Sequence, residues 1–82
     1  MKITLLYFAA IRELVGKDEE QVALPAQVKT IADLARFLEQ HRPPLSGRLA
    51  SVRFARNESF APSDEAITDG DVIALIPPVA GG

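Results

Sequence analysis

The sequence predicts an α+β domain in which a single sheet packs against one main helix. Two strongly apolar segments, residues 3–8 and 72–76, lie near the two ends of the 82-residue chain. Between them lies an amphipathic segment with the period of a helix. Since both apolar segments need burial, we expect them to lie side by side in the middle of the sheet, with the helix across it.

The first predicted strand covers residues 2–8. Its apolar side chains alternate between two faces, with Ile3, Leu5 and Tyr7 on one and Leu6 and Phe8 on the other. Because both faces are apolar, the pattern predicts a central strand that is covered on each side.

A short helix and a second strand follow. Residues 9–15 can form a helical turn, and Gly16 can end it because glycine readily adopts the left-handed conformation found at helix C-termini. Residues 19–24 alternate polar and apolar side chains, as a half-buried strand does. Pro25 has no N–H to donate to a neighbouring strand, so we expect it to close this second strand.

The main helix is predicted to begin after Thr30. The Thr30 hydroxyl can accept a hydrogen bond from the first turn, and Asp33 three residues later fits a capping box loosely. Pro43 and Pro44 predict that the helix ends near His41. One apolar stripe should face the core, formed by Ile31, Leu34, Ala35 and Leu38.

The second half of the chain predicts the remaining strands. Residues 52–55 read as a strand, and residues 57–58 as a turn before a short segment around Phe60. The Asp-Gly-Asp sequence at 69–71 predicts another turn, which leads into five successive apolar residues at 72–76. That run predicts the second central strand.

Composition narrows the possible functions. Nine basic and eleven acidic residues give a net charge of −2 without blocks of like charge, which argues against nucleic-acid binding. The absence of cysteine excludes disulfides, thiolate metal sites and a cysteine nucleophile. No signal-peptide pattern or membrane-length apolar run is present, so we expect a cytoplasmic protein that does not enter membranes.

The side chains do not form a recognisable catalytic or metal-binding set. His41 is the single histidine, and its place beside prolines at a helix end predicts a solvated residue that interacts with the helix terminus. Asp69 and Asp71 are most simply interpreted as turn residues.

The last six residues, Pro-Pro-Val-Ala-Gly-Gly, predict an extended tail at 77–82 that leaves a domain formed by residues 1–76. The prolines favour an extended backbone and cannot donate strand hydrogen bonds. Six residues at about 3.1–3.3 Å each reach on the order of 20 Å, enough to enter the active site of another protein.

The tip of the tail offers a carboxylate without neighbouring side chains. Gly81 and Gly82 leave a bare backbone that can pass through a narrow channel. A carboxylate is a poor electrophile, but a mixed anhydride with AMP can react with a sulfur donor to give a thiocarboxylate. The plain alternative is a frayed terminus without a function.

Two separated motifs resemble those of the small subunits of molybdopterin synthase. The Asp-Gly-Asp turn, the apolar strand and the final Pro-Pro-Val-Ala-Gly-Gly are similar to that family's C-terminal signature. Residues 6–9, Leu-Tyr-Phe-Ala, and 12–14, Arg-Glu-Leu, are similar to its N-terminal signature. Val72 departs from the pattern, because an acidic or polar residue is common there in the family.

The resemblance implies a β-grasp fold and a role as a sulfur carrier. An ATP-dependent activating enzyme would adenylate Gly82, and a sulfur donor system would convert it to a thiocarboxylate. The tail would then deliver sulfur to cyclic pyranopterin monophosphate inside a large subunit, within a heterotetramer of two small and two large subunits. The small subunit itself would bind no cofactor and supply no catalytic side chain. The inserted residues would be Pro77, Pro78, Val79, Ala80 and Gly81.

Three side chains are candidates for partner contacts. Phe60 lies among polar residues and reads either as the edge of the core or as an exposed anchor, and the family's interface favours the second. Ile76, at the base of the tail, is implied by the same interface. Arg12 reads first as a solvated helix residue, and the motif match leaves a contact open.

Other functions remain open at the level of sequence. The same chemistry could serve thiamine, a thiolated tRNA base or an amino acid. A ubiquitin-like modifier would instead join Gly82 to lysines, and an interaction domain could carry Gly-Gly incidentally.

Overall fold

The computed structural model describes residues 1–78, which form a five-stranded sheet and two α-helices. The strands are β1 (Lys2–Tyr7), β2 (Glu19–Ala23), β3 (Arg53–Arg56), β4 (Ser59–Phe60) and β5 (Val72–Ile76). The helices are α1 (Ala9–Val15) and α2 (Ile31–His41), and a 3-10 turn covers Pro43–Leu45. Both helices and the strands β1, β2, β3 and β5 lie within a residue or two of the predicted ones, whereas β4 and the 3-10 turn were not predicted.

The sheet is mixed and has the order β2-β1-β5-β3-β4. The two strands from the ends of the chain, β1 and β5, are adjacent and parallel, and every other pairing is antiparallel. This confirms that the two most apolar segments lie together at the centre. Terminal strands paired in parallel, with a helix across the sheet, are the arrangement of the expected β-grasp fold.

Helix α2 begins and ends as its sequence predicts. The Asp33 amide donates to the Thr30 hydroxyl, and the Asp33 carboxylate accepts from the Thr30 amide, so the capping box is present. Its buried residues are Ile31, Leu34 and Leu38, which pack into one core with the inward side chains of the sheet. The helix therefore covers one face of the sheet.

Helix α1 follows β1 directly and ends at Gly16. The φ angle of Gly16 is 87°, a left-handed conformation that suits glycine, and its N–H donates to the carbonyl of Arg12 at 2.8 Å. Ile11 is the buried residue of this helix and joins the same core.

The prediction that β1 is covered on both faces is wrong. Ile3, Leu5 and Tyr7 are buried under the helices, but the opposite face of the sheet, the open face, has no covering layer within residues 1–78. Phe8 on this side is 45% exposed and Val72 is 37% exposed. A chain of this length forms two layers, which bury only one side of a sheet.

Among residues 1–78, neither helix has the length and apolarity that crossing a bilayer requires.

Candidate functional site

The tail begins at the end of the central strand β5. Ile76, the last residue of the strand, pairs with Arg53 of β3. Leu75, just before it, is completely buried and pairs with Tyr7 on one side and Phe54 on the other. Pro77 is partly buried and Pro78 is exposed. The direction in which the chain leaves the sheet is thus set by a strand held on both sides.

The other end of β5 is fixed by a buried carboxylate. Asp71 is 5% exposed, and its Oδ2 accepts from Nε of Arg56 at 2.6 Å and from the Thr68 amide at 2.8 Å. Its Oδ1 accepts from Nδ2 of Asn57 at 3.0 Å and from Oγ1 of Thr68 at 3.1 Å. The turn before β5 is therefore tied to the end of β3.

The same contacts keep Asp71 ionised. Burial alone would raise the pKa of its carboxyl, but the hydrogen bonds from Arg56, Thr68 and Asn57 outweigh burial and lower the pKa to about 2. At neutral pH the charge is present and fully paired, so its role is to hold the strand rather than to exchange protons.

A second polar cluster joins β1, β2 and the end of α2. The hydroxyl of Tyr7 donates to Oε2 of Glu20, and Arg42 donates to the same carboxylate from Nη2 at 3.0 Å and Nε at 3.2 Å. Burial and the nearby carboxylate raise the pKa of Tyr7 above its ordinary range. The cluster fixes the end of β1, from which Phe8 projects.

A shallow apolar groove of about 310 Å³ lies on the open face of the sheet. It is lined by Leu6, Phe8, Ala55, Glu58, Phe60, Val72, Ala74 and Ile76. Phe60 is 66% exposed, which is unusual for a large aromatic side chain unless the surface contacts another molecule. The groove reaches Ile76 and is therefore continuous with the base of the tail.

The family is settled by comparison with known proteins. The model of the ThiS family matches residues 5–82. The chain belongs to the ThiS family. It is 39% identical to the molybdopterin synthase sulfur carrier subunit of Chlamydomonas reinhardtii, over 100% of both chains. It is 38% identical to the subunit of that name from Escherichia coli strain K12, over 98% of this chain and 99% of the relative.

Solved structures confirm the β-grasp fold of this ThiS-family chain. A putative subunit 1 of molybdopterin converting factor from Pyrococcus furiosus has a TM-score of 0.83 and 31% identity, over 96% of this chain and 99% of that one. Small archaeal modifier protein 1 from Haloferax volcanii has a TM-score of 0.81 and 27% identity, over 95% and 98%.

A further solved relative is a complex of subunits 1 and 2 of molybdopterin-converting factor from Helicobacter pylori. Its matching chain has a TM-score of 0.70 and 24% identity, and each chain is covered completely. At 24% identity, this similarity shows that the two chains share a fold.

Two of the three residues predicted for partner contacts lie together. Phe60 and Ile76 both line the apolar groove. Arg12 lies apart from it on α1, where its Nε is 3.9 Å from Oδ1 of Asp18 and both side chains are largely exposed. Pro77 and Pro78 adjoin the groove in sequence, and the predictions for Val79, Ala80, Gly81 and Gly82 lie outside the described residues.

Sequence analysis missed Phe8, Val72 and Glu58 as parts of this surface. A signal was present for the first two, because β1 and β5 carry more apolar side chains than one covered face can bury. Glu58 gave no signal beyond its place in a turn.

Within residues 1–78 no group of three His, Cys, Asp or Glu side chains is arranged to hold a metal ion. The ring of His41 stacks on Phe37 with centroids 4.2 Å apart, and its Nδ1 lies 2.9 Å from the Phe37 carbonyl oxygen. The described part of this ThiS-family domain therefore has an exposed apolar groove beside the end of β5, and its polar clusters are engaged in structural contacts.

Proposed function

We propose that this chain is the sulfur-carrier subunit of a molybdopterin synthase and carries sulfur as a thiocarboxylate on Gly82. The observation that carries the proposal is full-length similarity to sulfur carrier subunits in a chain that ends in Gly-Gly. The structure supports it with a central strand that leads into the tail beside an exposed apolar groove.

Activation requires a partner enzyme and ATP. The Gly82 carboxylate attacks the α-phosphorus of ATP, pyrophosphate leaves, and the carboxylate becomes an acyl adenylate. Hydrosulfide from a sulfur donor system then adds to the acyl carbon, AMP leaves, and the product is the Gly82 thiocarboxylate. The absence of side chains at Gly81 and Gly82 allows both steps in a confined pocket.

Delivery occurs in the large subunit of the synthase. The thiocarboxylate sulfur attacks a carbon of cyclic pyranopterin monophosphate, and the oxygen substituent that this carbon carried leaves with the bonding electrons. Water then cleaves the acyl–sulfur bond, which leaves the sulfur on the pterin and restores the Gly82 carboxylate. Because a dithiolene has two sulfur atoms, each product needs two such deliveries. The residues that enter the large subunit are those of the tail, Pro77, Pro78, Val79, Ala80, Gly81 and Gly82.

The apolar groove is the proposed contact surface for the large subunit. Phe60 and Phe8 present exposed aromatic rings, and aromatic side chains are enriched at protein interfaces. Ile76 lies at the groove's end, so a partner bound there also meets the start of the tail. We propose a heterotetramer of two small and two large subunits, in the cytoplasm.

Protein modification is the second candidate. It is supported by 27% identity to a small archaeal modifier protein, and it uses the same adenylated carboxylate. In that reaction a lysine amine, rather than sulfur, attacks the acyl carbon, and the product is an isopeptide. The two functions differ in what is found on Gly82 after activation.

Reconstitution with the activating enzyme, ATP, a sulfide source, the large subunit and the pterin substrate tests the proposal. We expect dithiolene formation, and mass spectrometry of the intact carrier should show one oxygen replaced by sulfur. Adding one alanine after Gly82 should abolish both signals without changing the melting temperature. Full activity of that extended variant would contradict the mechanism, and lysine-linked adducts without the sulfur form would favour the modifier.

A further inference from the structure

Two opposite charges flank the apolar groove: Glu58 lines it, and Arg53 lies beside its lining residues Phe60 and Ile76. Arg53 pairs with Ile76, so it lies beside the start of the tail. Glu58 follows Asn57, whose amide donates to the carbonyl of Val72 at 2.8 Å, at the other end of the same strands. Arg53 and Asn57 are four residues apart on β3, which corresponds to about 13 Å along the strand.

Arg53 is held on this surface without an acidic partner. Its guanidinium carbon lies 5.7 Å from the centroid of the exposed Phe60 ring, a distance at which the cation is attracted to the aromatic face. In the part of the chain that the structure describes, it makes no ion pair. Its charge is therefore available beside an aromatic anchor.

Glu58 is the charged side chain in the lining of the groove, and its backbone is unfavourable for a residue with a side chain. Its φ angle is 74°, and that of Asn57 is 49°, as in the tight hairpin turns in which glycine is preferred at the second position. Glu58 also makes no ion pair or side-chain hydrogen bond with residues 1–78. A carboxylate that is presented at an exposed apolar surface by a residue with an unfavourable backbone conformation suggests a function for the charge.

We propose that Arg53 and Glu58 set the orientation in which the large subunit docks on the apolar groove. The partner surface that fits has an apolar centre, a carboxylate facing Arg53 beside the opening that receives the tail, and a cation facing Glu58 at the far end. This inference rests on the proposed function. It adds the relative orientation of the two proteins in their complex.

Charged residues are needed to fix the orientation of the two proteins because the burial of apolar surface has little directional preference. A shallow surface of aliphatic and aromatic side chains can meet the same partner turned by half a circle, and the tail would then point away from the partner's pocket. In that reversed arrangement Arg53 and Glu58 would each face a like charge. Like charges brought together at an interface disfavour the wrong complex.

A second copy of this chain is the competing occupant, because two copies related by a two-fold axis could also place Arg53 against Glu58. We favour the large subunit since the groove runs to Ile76, where a partner that receives the tail must lie. The two occupants respond differently when both charges are exchanged. Exchange restores complementarity between two copies and destroys it toward a different partner.

The test compares wild type with R53E, E58R and the double variant R53E/E58R. The double variant keeps the net charge of −2 and the amino-acid composition, so it reverses only the polarity of the surface. Affinity for the purified large subunit is measured by calorimetry at low and high salt. We expect the double variant to bind at least about tenfold more weakly, with a smaller difference at high salt.

Each outcome decides one question. If the double variant binds as tightly as wild type, the orientation role is overturned while the proposed function stands. If wild type itself does not bind the large subunit, the proposed function fails. A wild-type homodimer that R53E weakens and the double variant restores would assign the groove to a second copy. Should E58R fail to fold, the neutral pair R53Q/E58Q serves, for which unchanged affinity also overturns the role.

Discussion

Nε of Arg56, at the end of β3, donates to Oδ2 of Asp71 at 2.6 Å. This contact joins the turn between β3 and β4 to the turn that precedes β5. Arg56 also reaches Oε2 of Glu65 at 3.3 Å. The pair lies at the start of β5, at the opposite end of the strand from the tail, and it holds that start in place.

Asp71→Asn is expected to lower the free energy of unfolding by about 2 kcal/mol, because it leaves a guanidinium beside a neutral, partly satisfied amide. Urea unfolding followed by circular dichroism measures the loss. The matched control is Asp69→Asn in the same turn, where the carboxylate accepts one bond from the exposed amide of Lys2. We expect the control to lose less than about 1 kcal/mol. Equal losses of stability in the two variants would show that the hydrogen bonds of Asp71 stabilise the fold no more than the single bond of Asp69 does.

Stability should fall between about pH 4 and pH 2 as Asp71 is protonated. The carboxyl has a pKa of about 2 in the folded protein and ~4 in the unfolded chain. A lowered folded pKa stabilises the protein above the unfolded value, and the gain disappears as pH falls through the folded value.

Melting temperatures measured from pH 6 to pH 2 test this expectation. The Asp71→Asn variant should show a flatter decline, although Glu20 and Asp33, whose pKa values are also lowered, keep part of the slope. Parallel curves for wild type and the variant would mean that Asp71 titrates normally in the folded protein.

Tyr7 should stay protonated in the folded protein at pH values where free tyrosine ionises. Burial and the neighbouring Glu20 raise its pKa, and the chain contains one tyrosine, so tyrosinate absorbance reports this residue alone. Because the folded pKa is raised, the stabilisation is complete below the unfolded pKa of about 10 and declines above it. Tyrosinate should therefore appear together with loss of the circular dichroism signal. Its appearance in a protein that is still folded, near pH 10, would contradict the expectation.

Phe60→Asp should weaken binding to the large subunit far more than it destabilises the fold. Phe60 is 66% exposed, so its replacement removes little buried area from the monomer, and a carboxylate in an apolar interface should cost affinity at least about tenfold. The matched control is Phe54→Ala, since Phe54 is 7% exposed and belongs to the core. That variant should lose about 3–5 kcal/mol of stability. Comparable losses of stability in the two variants would place Phe60 in the core.

Local sequence patterns were sufficient to predict both helices and the strands β1, β2, β3 and β5, because each of these elements is specified by residues close together in sequence. The stripe of α2 and its Thr30–Asp33 cap are examples. The two-residue strand β4 and the 3-10 turn at Pro43–Leu45 are too short to give such a pattern. The clusters around Asp71 and Glu20 were missed because their members are distant in sequence. Arg56 lies 15 residues from Asp71, and Arg42 lies 22 residues from Glu20, so only the folded sheet brings them together.

The open face shows a different limit of sequence reasoning. Apolar residues on both sides of β1 predict burial on both sides, yet Phe8 is exposed. Hydropathy identifies a side chain that favours burial. It does not tell whether that side chain is buried in the core of its own domain or exposed on a surface that can bind another protein. Gly82 was identified from composition and motif alone, and its role stays a prediction.

The placement of β5 between β1 and β3 has a mechanical consequence. A force applied to Pro77 along the strand axis is shared by hydrogen bonds on both sides of β5, which must slide together before any of them is released. Such shear loading resists extension better than opening a sheet from its edge, one bond at a time. The globular part should therefore resist tension that is applied to it through Pro77.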